Sequence, residues 1–258
     1  MLEKVCGEEV EIVTMEERRG DRGARVLVVE LSGKEVAQMV LQSKDGTTIW
    51  KAKPSNASIS ATPIVHETAN SVLLGTLDGT CVSLNQTTGK ILWIRHLKHP
   101  IFSAPVISHN QSIIFCDVSG VVAAFDLKDG KQIWKMDIGG NVFSHLVIQK
   151  DRATAMENLI IPSRNRNLYI FRIESHTTQP KLRNQIEFSS PIIATPWVDD
   201  NFIIIALVKG ELMIINSVSS GVDTMYKFQD EVYSSPVVHE DFLAIGCRDN
   251  NLYILLRE

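Results

Sequence analysis

One segment recurs, with changes, along most of the sequence and constrains its fold more than any other feature. In its clearest copy, residues 101–134 read IFSAPVISHNQSIIFCDVSGVVAAFDLKDGKQIW, where four short apolar runs alternate with the turn-forming groups HNQ, VSG and LKDG. The pattern predicts four antiparallel strands joined by tight turns. Such a small sheet has two apolar faces, so we expect successive copies to stack face to face.

The spacing of the copies indicates the class of repeat. The residue at the inner turn moves along the chain in steps of 41, 46, 44 and 40 residues, from Gly79 through Gly120, Arg166 and Gly210 to Asn250. A four-stranded repeat of about 40–45 residues is typical of a propeller blade. We therefore predict an all-β, propeller-type domain over residues 25–258, with about five four-stranded blades. Their bounds are 59–95, 101–137, 142–182, 192–228 and 232–257.

Both ends of the repeat array are predicted to be irregular. Residues 25–53 match only the later part of the repeat and predict a partial blade without its opening strand. Residues 1–24 combine dense charge with glycine and predict a flexible or poorly packed lead-in. The last copy ends after its third strand, so its edge would need a strand from elsewhere, with Val10–Met15 as the candidate. Alternatively, the chain is an open segment of a larger propeller of about eight blades.

Two short motifs recur at fixed places in the repeat. SLNQTTGKILW and AFDLKDGKQIW predict hairpin turns at Gly89 and Gly130, each followed by an outer strand whose tryptophan packs against a neighbouring sheet. Short runs of small residues ending in proline open the innermost strands, where proline is tolerated as the first residue of a strand. These runs are Ser60–Pro63, Ser103–Pro105, Ala194–Pro196 and Ser234–Pro236.

Composition narrows the possible partners and location. The 258 residues are 44% hydrophobic and 22% charged, with a net charge of −4, which gives no basic surface for nucleic acid or an anionic membrane. No apolar run approaches the roughly 20 residues that span a bilayer, and the acidic N-terminus lacks the features of a signal peptide. We predict a cytoplasmic protein with no nucleic-acid or membrane partner.

The histidines are interpreted as polar residues at strand ends. His66, His109 and His239 follow the blade-opening proline by three or four residues, so the repeat itself would place them on one face. No carboxylate or cysteine recurs beside them, which disfavours a metal site. His96 and His99 lie three residues apart on an extended connector, where side chains point to opposite faces. The sequence therefore predicts no metal ligand.

The combined pattern resembles the pyrroloquinoline-quinone-type propeller repeat. Residues 72–107 and 231–256 are most similar to the C-terminal propeller of the beta-alanine-activating enzymes, a family of acyl-CoA synthetase-like enzymes related to nonribosomal peptide synthetases. The resemblance covers residues 26–256 and is good outside the third full copy. It implies a parent enzyme with an ATP-dependent adenylation domain and a phosphopantetheine-bearing carrier domain, whose motifs this sequence lacks.

The resemblance implies a binding or scaffolding propeller that is not an enzyme by itself. Its expected partner is another protein or the enzyme's own catalytic and carrier domains. Residues 149–157, which read as an inserted polar loop, are predicted to be a variable contact surface. We assign no catalytic, cofactor-binding or metal-binding residue and expect no cofactor.

The same repeat occurs in quinoprotein alcohol dehydrogenases, which implies an alternative. In that case the chain would be a dehydrogenase fragment that binds pyrroloquinoline quinone and calcium on the propeller axis. Calcium requires converging oxygen ligands. However, the aspartates recur at turn or strand-end positions, which suits turn capping: Asp78, Asp117, Asp126 and Asp249. We expect an axial channel filled by Val, Ala and Ile side chains, whereas a cluster of carboxylates would favour the quinoprotein alternative.

Overall fold

The computed structural model describes residues 10–13, 26–32, 36–42, 47–109, 111–150, 156–217, 219 and 221–256. Within these ranges every regular element is a β-strand, and there is no helix long and apolar enough to cross a membrane. The chain divides into two compact units. The first comprises residues 1–105 and 126–131, and the second comprises residues 106–125 and 132–258. The predicted all-β class is confirmed.

The first unit contains two four-stranded antiparallel sheets, each formed by strands in chain order. Sheet 1 consists of β1 (Val10–Val13), β2 (Val26–Ser32), β3 (Val36–Gln42) and β4 (Thr48–Ala52). Sheet 2 consists of β5 (Ile64–His66), β6 (Ser71–Gly75), β7 (Thr80–Asn85) and β8 (Ile91–His96).

The second unit holds four sheets of the same topology, although the hairpin tip of its first sheet, residues 126–131, belongs to the first unit. Sheet 3 consists of β9 (Val106–Ser108), β10 (Ser112–Cys116), β11 (Val121–Asp126) and β12 (Gln132–Asp137). Sheet 4 consists of β13 (Val147–Lys150), β14 (Glu157–Pro162), β15 (Asn167–Ile173) and β16 (Lys181–Glu187). Sheet 5 consists of β17 (Trp197–Val198), β18 (Phe202–Leu207), β19 (Glu211–Asn216) and β20 (Val222–Lys227). Sheet 6 has three strands, β21 (Val237–His239), β22 (Phe242–Gly246) and β23 (Leu252–Leu256).

The first sheet corrects one prediction. Residues 25–53 were expected to form a blade without its opening strand, but β1 pairs antiparallel with β2, with Val10 opposite Glu30 and Val13 opposite Leu27. The VEIV sequence forms this strand although it lies within the charged segment predicted as a lead-in, because its three β-branched residues favour pairing where a strand edge is available. The rest of that segment, residues 1–9 and 14–24, lies outside the described residues.

The innermost strands lie next to the small-residue runs. Strands β5, β9, β17 and β21 each begin at the residue after the proline, which was predicted as their first residue, because proline has no N–H group for strand pairing. Within the described part of the last copy, which ends at residue 256, sheet 6 has three strands. All five residues used to measure the repeat have positive φ, including the non-glycine residues Arg166 (φ 71°) and Asn250 (φ 67°).

In the first unit, each outer-strand tryptophan covers the hairpin of the following sheet. The Trp50 indole N–H donates to the Gln86 carbonyl oxygen (2.9 Å), and that of Trp93 donates to the Leu127 carbonyl oxygen (3.0 Å). Both indoles are buried, and each rests on a hairpin glycine. A Cβ at Gly130 would lie 2.6 Å from Cδ2 of Trp93. The glycine therefore provides both the positive φ of the turn (68°) and the space for the ring.

Substitution of Gly130 tests the contributions of its positive φ and of the space that it leaves for the Trp93 ring. We expect Gly130→Ala to lower the free energy of unfolding by about 3 kcal/mol, about 1 from the positive φ and about 2 from the indole contact. Gly139→Ala is the matched control, because Gly139 has φ 69° and nothing within 4 Å of its Cβ position. It should cost only the backbone contribution of about 1 kcal/mol. Urea unfolding measures both, and equal losses would contradict the proposed packing role.

Apolar faces of successive sheets form the cores. In the first unit, Met39 and Trp50 of sheet 1 pack with Val72, Leu74 and Val82 of sheet 2. In the second unit, three such clusters join sheets 3 and 4, sheets 4 and 5, and sheets 5 and 6. Alternate residues of one strand serve the two neighbouring sheets, as the two-residue period of a strand requires. In β18, Ile203 and Ile205 pack towards sheet 4, whereas Ile204 packs towards sheet 6.

Aspartates cap the turns, as the sequence predicted. Asp126 Oδ1 accepts the N–H groups of Lys128 and Asp129 (2.8 and 3.3 Å), and Asp117 Oδ1 accepts those of Ser119 and Val121 (3.0 and 3.2 Å). These bonds satisfy turn N–H groups that no strand can pair.

The Asp78 carboxylate accepts hydrogen bonds from the Ser55 and Thr76 hydroxyl groups and from the Thr80 N–H group. Burial raises the pKa of its carboxyl, but hydrogen bonds from Ser55, Thr76 and Thr80 more than offset this and lower the pKa from 3.8 to about 2. The charged form is therefore favoured in the folded state.

Asp78→Asn should lower the free energy of unfolding by about 1 kcal/mol near neutral pH, a value reduced for the exposure of the side chain. A lowered folded-state pKa stabilises the protein above the unfolded value of 3.8, and this contribution is lost as the pH falls towards 2. The difference between wild type and variant in urea unfolding should therefore shrink over that pH range. Asp223→Asn, on the exposed strand β20, is the control and should show no such convergence.

Candidate functional site

Two aromatic side chains at equivalent places in sheets 4 and 6 are each covered by an arginine. The Arg164 Cζ lies 5.3 Å from the ring centroid of Phe143, and the Arg248 Cζ lies 5.6 Å from that of Tyr233. Each aromatic residue stands four positions before the first strand of its sheet, and each arginine stands two positions after the second strand. We call these four residues the arginine–aromatic face. Cation–π contacts of this kind hold an exposed guanidinium in a fixed place.

The two arginines differ in their charge environment. Arg248 Nη1 donates to Glu231 Oε2 (2.7 Å), and Tyr233 Oη donates to the same oxygen (3.1 Å). The hydrogen bond to Glu231 raises the pKa of Arg248, so the guanidinium stays charged. Within the described ranges, no acidic side chain forms an ion pair with Arg164, which is exposed. Arg164 is therefore the more available cation.

Backbone-to-hydroxyl hydrogen bonds connect sheets 4, 5 and 6 beside these pairs. The His145 peptide N–H donates to Thr195 Oγ1 (3.2 Å), and the Thr195 peptide N–H donates to Ser235 Oγ (2.9 Å). These three residues occupy the same position of the repeat, just before the innermost strand. Desolvation lowers the pKa of His145, so its ring is neutral near pH 7. The edge next to the arginine–aromatic face thus carries one neutral imidazole between small polar groups.

The β13–β14 hairpin contains buried polar side chains that bind the neighbouring sheet 5. Gln149 Nε2 donates to the Asp199 carbonyl oxygen (2.7 Å) and to Ser217 Oγ (2.6 Å), and Asn158 Nδ2 donates to Gln149 Oε1 (3.3 Å). A small recess lies beside them. It is lined by Gln149, Ile170, Arg183, Asn184, Ile215, Asn216 and Ser217.

The same hairpin also binds sheet 3. Glu157 Oε2 accepts hydrogen bonds from Ser108 Oγ (2.7 Å) and from the His109 peptide N–H (3.1 Å). Gln149 and Glu157, predicted as the two ends of an inserted loop, are therefore buried strand residues, and this part of the prediction is wrong. Their polarity suggested a loop, but it is satisfied by bonds to both neighbouring sheets. Residues 151–155, the centre of the predicted contact loop, lie outside the described residues.

His66, His109 and His239 lie at or next to strand ends, as predicted, whereas His96, predicted on a connector, is the last residue of β8. His66 and His239 are the last residues of β5 and β21, and His109 follows β9. His66 Nδ1 accepts the Ala69 N–H (3.1 Å), and the His109 ring lies 3.8 Å from the Glu157 carboxylate. His96 lies within β8, where Nδ1 is 3.3 Å from Thr80 Oγ1. Among the residues that the structure describes, no three His, Cys, Asp or Glu side chains converge as a metal site. The absence of a metal ligand stays a prediction.

The aspartates named for the quinoprotein alternative serve the turns in their own sheets. Asp249 Oδ1 accepts the Asn251 N–H (3.0 Å), and its Oδ2 accepts the Tyr253 hydroxyl. This bond lowers the pKa of Asp249 and raises that of Tyr253 to about 12. Asp117 is completely buried, and its Oδ2 has no hydrogen-bond partner in the described part of the chain. Whether the axial channel is filled by apolar side chains stays a prediction.

Sequence reasoning missed the arginine–aromatic face and His145. A signal for His145 was present, because the third full copy reads Ser144-His145-Leu146 where the others read small residues followed by proline. The arginines also gave a signal, because the aligned turns SRNRN and CRDNN both carry arginine at their second position, as Arg164 and Arg248.

Comparison with known proteins identifies a family that covers most of the chain. Residues 27–256 match the family described as "Beta-alanine-activating enzyme, beta-propeller". The beta-alanine-activating enzyme of Drosophila melanogaster is 29% identical over 230 residues, which cover 83% of this chain and 23% of that protein. The chain thus spans about a quarter of that relative's length.

Two further similarities concern the fold. The quinoprotein alcohol dehydrogenase PedE of Pseudomonas putida is 34% identical over 67 residues, 26% of this chain and 10% of that protein. The crystal structure of BamB from Moraxella catarrhalis superposes with a TM-score of 0.70 at 14% identity, over 96% of this chain and 76% of BamB. The propeller-type fold predicted from the repeat is confirmed, and the chain belongs to the β-propeller family of the beta-alanine-activating enzymes.

Proposed function

We propose that this domain is a non-catalytic binding module that docks the catalytic or carrier part of a beta-alanine-activating enzyme. The observation that carries the proposal is the arginine–aromatic face. Arginine and aromatic residues dominate interface hot spots, and here two such pairs occur at the same place in the repeat, with Tyr233 44% exposed. The two arginine–aromatic pairs belong to different sheets, so a protein surface can contact both pairs more readily than a small substrate can.

The chemistry of the face suits an anionic group on the partner. A guanidinium pairs with carboxylate or phosphate through parallel N–H donors, and Arg164 has this capacity available. The carrier domain implied by the family bears a phosphopantetheine arm, which contains a phosphate group. The carrier domain is therefore the preferred partner.

The use of the aspartates supports a non-catalytic role. Asp78, Asp126 and Asp249 each accept backbone N–H groups of their own turns. Carboxylates that accept turn N–H groups stabilise the turns between strands. They are therefore poor candidates for catalytic groups that bind a substrate together. On this proposal, amino-acid activation by ATP belongs to other domains of the enzyme, and this chain contributes their placement.

Binding to the separately produced adenylation and carrier region of the same enzyme tests the proposal. We expect saturable binding by isothermal titration calorimetry. The paired substitutions Phe143→Ala/Arg164→Ala and Tyr233→Ala/Arg248→Ala should each weaken it by about tenfold or more, since they remove hot-spot residue types.

Arg183→Ala is the matched control. Arg183 is an exposed arginine on the outer strand β16, and its loss should leave the affinity unchanged. Absence of binding by the wild-type chain, or equal weakening by the control, would overturn the assignment of this face.

A further inference from the structure

The outer strand of sheet 4 lacks the tryptophan that the three preceding sheets carry. In sheets 1, 2 and 3 this tryptophan stands next to a shift in the pairing of the third and fourth strands. In sheet 4 the residue at this shift is Asn184, which pairs with Ile170. Sheets 4 and 5 both have four strands, so their boundary is complete but lacks the outer-strand indole of the earlier repeats.

The small recess beside Gln149 lies at the equivalent place between sheets 4 and 5. Its lining includes Asn184 and, from sheet 5, Ser217. Ser217 directly follows the third strand, like Gln86 and Leu127, whose carbonyl oxygens accept the indole N–H groups in the first unit. None of the seven lining residues is acidic. Polar groups therefore replace an apolar ring at this boundary.

A buried glutamine fixes the hydrogen-bonding role of Ser217. Gln149 is 2% exposed, and its Nε2 donates to the Asp199 carbonyl oxygen (2.7 Å), which can only accept. Nε2 is therefore also the donor to Ser217 Oγ (2.6 Å). Because this hydroxyl accepts from Gln149, its own hydrogen is left for another acceptor. Among the described residues, no acceptor takes it.

Two further donors line the recess. Arg183 and Asn184 both belong to its lining, and the described residues offer neither the guanidinium nor the amide a hydrogen-bond acceptor. Arg183 is exposed, and within the described ranges it forms no ion pair. A guanidinium, an amide and a hydroxyl around a recess without a carboxylate favour an anionic ligand.

The shape and charge of the recess favour a carboxylate over a phosphate. A carboxylate is flat and singly charged, so one guanidinium balances its charge and can bond both of its oxygens. Ile170 and Ile215 supply apolar contacts for the carbon atom that carries the carboxylate. A phosphate brings more negative charge and three oxygens, whereas only one of the seven lining residues is basic.

We propose that the recess between sheets 4 and 5 binds a carboxylate group, held by Arg183, Asn184 and the Ser217 hydroxyl. Gln149 acts as a positioning residue, because it fixes that hydroxyl. Phe143 precedes β13 and Gln149 lies near its end, so the recess and the arginine–aromatic face lie at opposite ends of this strand. The proposal therefore does not depend on the proposed function.

An NMR titration of the ¹⁵N-labelled whole chain with sodium acetate tests the proposal, with sodium chloride added to keep the ionic strength constant. We expect the side-chain amide signals of Asn184 and Gln149 to shift saturably. The dissociation constant should be on the order of 10 mM, as suits so small a ligand. Arg183→Gln should raise it by about tenfold or more, because it removes the charged donor. Sodium phosphate should bind more weakly, and equal or tighter binding would contradict the assignment to a carboxylate.

Lys181→Gln is the matched control. Lys181 lies on the same strand as Arg183, but its Nζ pairs with Glu174 (2.8 Å). The control removes the same charge from β16 and should leave the affinity for acetate unchanged. Asn184→Leu is a second variant and should also weaken binding, because leucine has a similar size and no N–H group in its side chain. The backbone amide spectra of all variants should match the wild type away from the recess.

Two results would overturn the proposal. One is a wild-type chain whose amide signals show no saturable shift with acetate. The other is an Arg183→Gln chain that binds acetate as tightly as the wild type, or no more weakly than the Lys181→Gln control.

Discussion

The structure depends on the burial of two apolar faces by every small sheet. A four-stranded meander of about 35 residues cannot form an independent core, because one face always remains in water. Here alternate side chains of the same strand serve two neighbours, as Ile203 and Ile204 do in β18. Stability is thus shared between successive repeats within each unit, and the sequence must satisfy both faces at once. This explains why the second and third strands are almost continuously apolar in the buried sheets.

Hydrogen bonds of polar groups stabilise the turns and hairpins at the ends of the apolar sheets. Turn aspartates satisfy N–H groups that no strand can pair, and the β13–β14 hairpin uses Gln149 and Glu157 to bind the sheets on either side. An inserted segment therefore starts from a base fixed by hydrogen bonds to both neighbours. The arginine–aromatic pairs lie at the opposite ends of their second strands, so the two kinds of polar feature occupy different edges of sheet 4.

Sequence predicted the fold far better than the site. Repeats amplify weak local signals: the inner turn, the proline at the start of the innermost strand and the hairpin glycine each recur, and the observed turns and strands lie at or next to the predicted residues. Features that occur only once in the sequence were predicted wrongly or missed. Val10–Val13 forms a strand through pairing with β2, which a short apolar run in a charged segment could not reveal. Gln149 and Glu157 looked exposed because burial of a polar side chain depends on partners distant in sequence. The Arg164–Phe143 contact joins residues that the repeat brings together without either being part of its motif.

The tryptophan–glycine contacts have a consequence for how such a chain can change during evolution. Trp50 needs Gly89 and Trp93 needs Gly130, so each contact crosses from one repeat to the next. The tryptophan of one repeat and the glycine of the next therefore constrain each other's substitutions. Selection acts jointly on this pair, which crosses the boundary between two repeats. Duplication or loss of one whole repeat leaves every such contact with a partner. Recombination in the middle of a repeat would place an indole against a side chain that it cannot accommodate.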